Sequence, residues 1–258
     1  MVKNKDMGSD YQLVILAGGK GTRLSHITKG MPKCLLEVEG KKLLDYCISC
    51  YPNIDEITLL LGYGYEKVME YVEGEKRKGN PLYASKVVKY SIEKEKLLGK
   101  GGAIYNGLMN GSIDREKPYI IHYPDDLILE EDFEEKLRSK HEENTKKGAW
   151  LTMVVVLEIE SPFGRPVING DGFVRKFEEK PWVSLTTNVG VYYVQPEVNE
   201  FILKKRPPFN LESDLFGELC EMGKVASMVI DRENWVPVND EKGLEKAIKK
   251  VKLNKNEI

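Results

Sequence analysis

Apolar residues along this chain fall into short runs separated by amphipathic stretches, and the order of those runs predicts an architecture. Residues 12–16 (QLVIL) form a compact run that ends in glycines, as a buried parallel strand feeding a loop would. Residues 42–51 have helical periodicity, and 56–61 (EITLLL) read as the next buried strand. Residues 65–78 follow as an amphipathic helix, with Val68, Tyr71 and Val72 on one face. A strand over 86–92, a helix beginning over 101–109 and a strand over 118–122 (PYIIH) continue the alternation. After Glu131 comes a charged helix, then the apolar run AWLTMVVVLEI and a hairpin over RPVINGDGFVRKF, whose Asn169-Gly170-Asp171-Gly172 supplies turn residues. NVGVYYV is a further strand, and helices close the chain.

This βαβα order predicts an α/β fold with a three-layer, Rossmann-like, mostly parallel sheet and a ligand at the C-terminal strand ends. The second half adds a β-rich lobe. With 258 residues and no internal repeat or linker, residues 11–258 read as one domain. About 11–130 form its first half and 131–258 its second, after a polar, disordered lead-in over 1–10.

Composition narrows the function classes. A net charge of -2, from 39 basic and 41 acidic residues, argues against a nucleic-acid binder. There is no apolar run of the ~18 residues that span a membrane, and no signal-peptide pattern, so the expected location is cytoplasmic. Cys47 and Cys50 form a C-x-x-C, but they lie in a helical apolar stretch (LLDYCISCY) without a second pair. Buried small hydrophobes are the simpler reading.

The chemistry concentrates in ILAGGKGTRLSHITKGMPK, residues 15–33. A Walker loop requires G-x-x-x-x-G-K-[ST], and here Lys20 is followed by glycine. The dinucleotide fingerprint G-x-G-x-x-G fails at Leu24. What remains is a strand-end loop whose Gly18, Gly19 and Gly21 can turn backbone N–H groups toward phosphate oxygens. Thr22 adds a hydroxyl and Arg23 a two-pronged donor. A plain strand-to-helix turn with a surface arginine is the alternative. Pro32-Lys33, a rigid turn aiming a lysine back at the same strand end, tips the balance to a polyphosphate clamp.

LAGGKGTRL and then PKCLLEV, with nine residues between Arg23 and Lys33, resemble the signature of the sugar-1-phosphate nucleotidylyltransferases, the pyrophosphorylases that make nucleotide sugars. The resemblance continues through IDEITLLLGYGYEKVMEYV, YSIEKEKLLGKGGAI, PYIIHYPDDLI, FGRPV, KFEEKP and NVGVYYV, in family order. In local detail it is similar to the mannose- and heptose-phosphate guanylyltransferases. Lys100 stands where the family has threonine, and Pro124 where it has glycine. The resemblance implies transfer of a nucleotidyl group from a nucleoside triphosphate to a sugar-1-phosphate, with release of pyrophosphate. It leaves the base (UTP, dTTP, GTP or CTP), the sugar and the assembly open, a homo-oligomer included.

By the same resemblance Arg23, Lys33 and Asp125 would be catalytic, with nucleotide contacts from Leu16, Ala17, Gly18, Gly19, Gly21, Thr22, Gly101 and Gly102. Gly164, Glu179, Lys180 and Asn188 would meet the sugar phosphate. The implied cofactor is Mg2+, held by Asp125, with Asp126 as its understudy. The second ligand would be Asn239 or Asp240, because Pro237 stands where many relatives place an aspartate. A helix cap is the competing role for Asp240. His26, His122 and His141 receive no catalytic role, and Tyr192, Tyr193 and Trp150 read as core. The EKEK run at 93–96 reads as a solvated edge, although Glu93 could approach the base. The EEDFEEK helix reads as a solvated face. A catalytically weak homologue acting as a nucleotide- or sugar-phosphate-binding regulatory subunit is the alternative, motivated by Lys100, Pro124 and the missing C-terminal aspartate.

Overall fold

The computed structural model describes residues 10–93 and 98–256. The expected lead-in lies outside that range except for Asp10, as does the EKEK run after Glu93. Strand β1 (Gln12–Leu16) enters the core at once and leads to a one-turn helix, α1 (Ser25–Thr28). A tight hairpin of β2 (Glu37–Val38) and β3 (Lys41–Lys42) opens α2 (Leu43–Ser49). Next come β4 (Glu56–Leu61), α3 (Tyr65–Arg77), β5 (Val87–Ile92), α4 (Gly99–Met109) and β6 (Tyr119–His122). Then follow β7 (Asp126–Ile128), α5 (Phe133–Lys146) and the long β8 (Leu151–Glu160). A hairpin of β9 (Arg165–Ile168) and β10 (Val174–Glu178) precedes β11 (Trp182–Val194). The chain continues with α6 (Val198–Lys204), α7 (Leu211–Asp214), α8 (Phe216–Glu221), β12 (Val225–Val229), β13 (Trp235–Pro237) and α9 (Glu241–Asn256).

Seven strands form the central sheet in the order β12-β8-β11-β6-β1-β4-β5. All run in one direction except β11, which is antiparallel to both neighbours. Period-2 alternation sends successive side chains to opposite faces. Leu13 and Ile15 of β1 therefore join a core with α2, α3 and α5, while Val14 packs with α4, α6 and α8 on the other face. The three layers expected from the βαβα order are present. A third cluster joins Leu24, Leu127, Val236, Val238 and Leu244, so α9 fastens the loop after β1 to the β7–β13 pair. Residues 131–258 add β8, β11 and β12 to this same sheet.

The acidic helix departs from expectation. Glu134, in the first turn of α5, is 3% exposed; its carboxylate accepts from Tyr11 Oη and from the Asn53 backbone N–H at 2.9 Å. A solvated face is the wrong description for this residue, because its buried carboxylate is held by the Tyr11 hydroxyl and the Asn53 N–H. Cys47 is buried and Cys50 packs at the edge of the core, and burial raises both thiols. They are packing residues.

His141 is buried against Tyr193, with rings 4.0 Å apart and nearly parallel. Gln195 Nε2 donates to its Nε2 at 2.9 Å, and Nδ1 lies 2.9 Å from Thr152 Oγ1, so the neutral Nδ1–H tautomer fits the site. Burial pushes its pKa down from 6.5 to about 4. The unfolded chain therefore takes up this proton first as pH falls. The contribution is complete above pH 6.5 and is lost progressively toward pH 4. Denaturant unfolding across that window should show His141→Gln with a pH slope shallower by up to about 1.4 kcal/mol per unit. An unchanged slope would remove His141 from the acid response.

Candidate active site

The loop after β1 is shaped by two close approaches. A Cβ on Gly18 would lie 3.0 Å from the Gly62 backbone nitrogen, and Gly18 O accepts from Tyr63 N at 3.1 Å. This binds the ends of β1 and β4 together and leaves no room for a side chain. Gly21 has φ +58°, and a Cβ there would stand 3.0 Å from Lys33 Cβ. Leu24 is fully buried, so the 3-10 turn Thr22–Leu24 leaves Thr22 and Arg23 exposed above the strand end. Pro32 starts a second such turn, Lys33–Leu35. Cys34 and Leu35 point into the core, and Lys33 faces the loop.

These pieces enclose a cavity of about 240 Å³. Leu16, Ala17, Gly19, Gly21, Thr22 and Arg23 line one side, Lys33 and Cys34 the base, and Pro124, Asp125 and Asn239 the opposite wall. Lys33 Nζ donates to Asp125 Oδ2 at 2.6 Å and to Asn239 Oδ1 at 3.1 Å. Lys20 is exposed and lies off the lining.

Local chemistry explains the opposite wall. Tyr123-Pro124-Asp125-Asp126 is a β-turn closed by Asp126 N–H to Tyr123 O at 2.9 Å. Pro124 occupies its second position, where a fixed φ is favoured. The proline in place of a glycine thus builds the turn. Asp125 O accepts from Val238 N at 2.8 Å, and β13 pairs antiparallel with β7, which brings Asn239 beside Asp125. The next residue does different work: Asp240 caps α9, its carboxylate accepting from Gly243 N at 2.9 Å. Of the two candidates, Asn239 reaches the cavity and Asp240 does not line it.

The adjacent carboxylates also diverge. Asp126 Oδ1 accepts from Trp235 Nε1 at 2.8 Å, and burial together with the Asp125 charge pushes the Asp126 carboxyl up. His122 sits beneath, accepting from Tyr51 Oη at Nδ1 and donating through Nε2 to Asp126 O, each at 2.9 Å. Burial holds it neutral, with its pKa lowered to about 4. It braces the turn.

Other predicted residues lie away from the cavity. The N–H groups of Gly101 and Gly102 both donate to Phe209 O, and a Cβ on either would strike Phe209, Leu98 or Pro207. They pack α4 against residues 207–210. Lys100 pairs with Glu212 and lies 4.0 Å over the Tyr123 ring. Gly164 and the Glu179-Lys180 pair stand at the two roots of the β9–β10 hairpin, where a Cβ on Gly164 would meet Phe177 and Glu179 Oε2. Asn188 Nδ2 donates to Tyr192 Oη, while its Oδ1 is buried without a partner among the described residues.

Sequence reasoning passed over Pro124 and Cys34 as lining residues, and underrated Glu93. Its N–H donates to Leu61 O at the end of β4, and burial raises its carboxyl. Glu93 Oε1 has no hydrogen-bond partner among the described residues. The available signal was position, directly after the β5 run.

A protein-family model described as nucleotidyl transferase matches residues 12–253. The chain is 28% identical to mannose-1-phosphate guanylyltransferase catalytic subunit beta of Danio rerio, over 89% of this chain and 61% of that protein. It is 31% identical to a probable glucose-1-phosphate cytidylyltransferase of Bacillus subtilis, over 74% of this chain and 77% of the other. The chain spans about 60% of the length of the first curated relatives it matches. Its fold superposes on UDP-glucose pyrophosphorylase complexed with UDP-glucose, with TM-score 0.69, 18% identity, and coverage of 95% and 99%. HddC from Yersinia pseudotuberculosis complexed with GMP-PN aligns with TM-score 0.62 and 25% identity, covering 93% of this chain and 99% of that one.

Gly21→Ala tests the cavity's geometry. A left-handed alanine costs about 1–2 kcal/mol, and its Cβ would press on Lys33. Thermal unfolding should shift down, and calorimetry should show pyrophosphate affinity falling roughly tenfold. Unchanged affinity would disconnect the loop from anion binding.

Proposed function

The chain belongs to the nucleotidyl transferase family, and on that premise we propose that it transfers a nucleotidyl group from a nucleoside triphosphate to a sugar-1-phosphate. An oxygen of the sugar phosphate bonds to the α-phosphorus as the bond from that phosphorus to the β-bridging oxygen breaks, and pyrophosphate leaves with the electron pair. The observation that carries this reading is the convergence of Lys33, Asp125 and Asn239 on one cavity roofed by the glycine loop and Arg23.

Both reactants are polyanions, so positioning and charge neutralisation are the protein's main contributions. Lys33 would hold the α-phosphate and the incoming sugar phosphate together, and Arg23 would receive the departing β- and γ-phosphates. Glu179 and Lys180 would take the sugar and its phosphate, with Asn188 behind the ring. Asp125 and Asn239 suit magnesium: two hard oxygen donors already converge on one cationic centre, Lys33 Nζ. Such sites complete their ligand set with substrate phosphates and water. Bound there, Mg2+ would supply charge neutralisation at the phosphates.

GTP is the base we favour, supported by the guanylyltransferase among the relatives and the GMP-PN complex among the neighbours. The base would extend along the ends of β4 and β5 toward Glu93. No helix among the described residues is long and apolar enough to cross a membrane. The free cysteines support a cytoplasmic location, where the triphosphate substrates are found.

Pyrophosphate release with a panel of triphosphates and sugar-1-phosphates should show turnover, highest with GTP. Binding without turnover for every pair would favour the regulatory homologue instead. Lys33→Ala should lower kcat by about 10²–10³-fold with the circular dichroism spectrum intact. Asp125→Asn should abolish magnesium-dependent turnover while nucleotide binding survives; full activity would refute the ligand assignment.

A further inference from the structure

A second group of polar side chains stands beside the Tyr123–Asp126 turn, outside the lining of the glycine-loop cavity. Lys100 Nζ donates to Glu212 and lies 4.0 Å over the Tyr123 ring, and Tyr123 Oη donates to the same carboxylate at 3.2 Å. Both bonds fall on Glu212 Oε1, and Oε2 takes no hydrogen bond among the described residues. The Tyr123 ring meets Tyr192 edge-on at 5.7 Å, and Tyr192 Oη accepts from Asn188 Nδ2. This run of contacts ends at Asn188 Oδ1, the buried acceptor that has no partner among the described residues. Gly190, where a Cβ would strike both Tyr123 and Asp126, keeps the group tight against the turn that carries Asp125.

The fold does not need the ion pair. Helix α4 is already fastened to residues 209–210, because Gly101 and Gly102 donate to Phe209 O and the Lys100 N–H donates to Asn210 Oδ1. The Lys100 and Glu212 side chains are 46% and 33% exposed, a setting in which an ion pair adds little stability. What the pair offers is chemistry: ammonium N–H donors and an acceptor-only carboxylate oxygen, next to an acceptor-only amide oxygen.

We propose that Lys100 and Glu212 read the hydroxyls of the acceptor sugar and select a neutral hexose 1-phosphate, an inference that rests on the transferase reading. A hydroxyl both accepts and donates. Two on adjacent ring carbons can therefore take an N–H from Lys100 and give an O–H to Glu212 Oε2, while a third gives its proton to Asn188 Oδ1. The ion pair stays whole, so no charge is left uncompensated. A sugar carboxylate would draw Lys100 away and face the carboxylate of Glu212 directly, which disfavours a uronic acid. The Tyr123 ring holds the ammonium in place from below. Threonine, which the family carries at position 100, has neither the charge nor the reach to make this pair.

Steady-state kinetics of the full chain test the assignment, with glucose and mannose 1-phosphates and their uronic-acid counterparts as acceptors. The parent enzyme should favour the neutral sugar by at least about tenfold in kcat/KM. Lys100→Met keeps the stem over Tyr123 and removes the charge. It should raise the KM for the sugar phosphate roughly 10- to 100-fold and leave that for the triphosphate within about twofold. Glu212→Gln should do the same, and Lys100→Arg should recover most of the loss. A preference for the uronic acid would overturn the proposal. So would variants in which both KM values rise together, or in which only the thermal midpoint falls, as a structural clamp predicts. Should Lys100→Met fail to fold, the nearly isosteric Glu212→Gln decides alone. Absence of turnover with every pair would remove the transferase reading and this inference with it; turnover with an unaltered sugar KM in the variants would remove this inference alone.

Discussion

The structure turns on one ammonium group. Lys33 Nζ ties Asp125 and Asn239 together from three distant parts of the chain, and the side chains are only 14% and 29% exposed for the lysine and aspartate. A half-buried ion pair of this kind is weak evidence for stability, since desolvation offsets much of the attraction. Its value is poise. Phosphate oxygens and a divalent cation would each take one half of the pair, exchanging one set of opposite charges for another inside an already desolvated pocket. The separating partners therefore need not remain buried and unpaired.

Holding that pair in place requires more than its own hydrogen bonds. Leu24, Val236, Val238 and Leu244 bury together, so the glycine loop, β13 and α9 rest on one small core. The antiparallel β7–β13 pairing fixes Asn239 relative to Asp125, and His122 bonds the turn from below. Rigid elements of this type keep functional groups within the tolerances that phosphoryl chemistry demands.

Much of this was legible in the sequence, for a physical reason. Arg23 and Lys33 share one short segment, so their meeting at one cavity was readable from the glycine loop and the Pro32 turn that follows it. The βαβα order was readable because burial on both faces leaves continuous apolar runs. The reversal of β11 was not, since a buried strand looks alike in either direction. Asn239 and Asp240 were inseparable by type because both suit a metal and both suit a helix cap; the cap hydrogen bond of Asp240 and the Lys33 contact of Asn239 separate them. Glu134 misled because a carboxylate among acidic neighbours predicts solvent, while its donors, Tyr11 and Asn53, are remote in sequence.

Asp125 and Asp126 illustrate how environment divides labour between neighbours of one type. The β-turn started by Pro124 sends Asp125 to the cavity wall beside Lys33, and Asp126 back against β11 and Trp235. A Cβ on Gly190 would stand 2.2 Å from Asp126 Oδ2, so a glycine in β11 is what allows the buried carboxylate to fit. That carboxylate is stabilised by an indole N–H and destabilised by burial and by the charge next to it. Its carboxyl is pushed up first by that burial and then by the Asp125 charge beside it. Turning Asp126 inward against Trp235 thus leaves Asp125 as the one carboxylate of the pair that faces the cavity and meets Lys33.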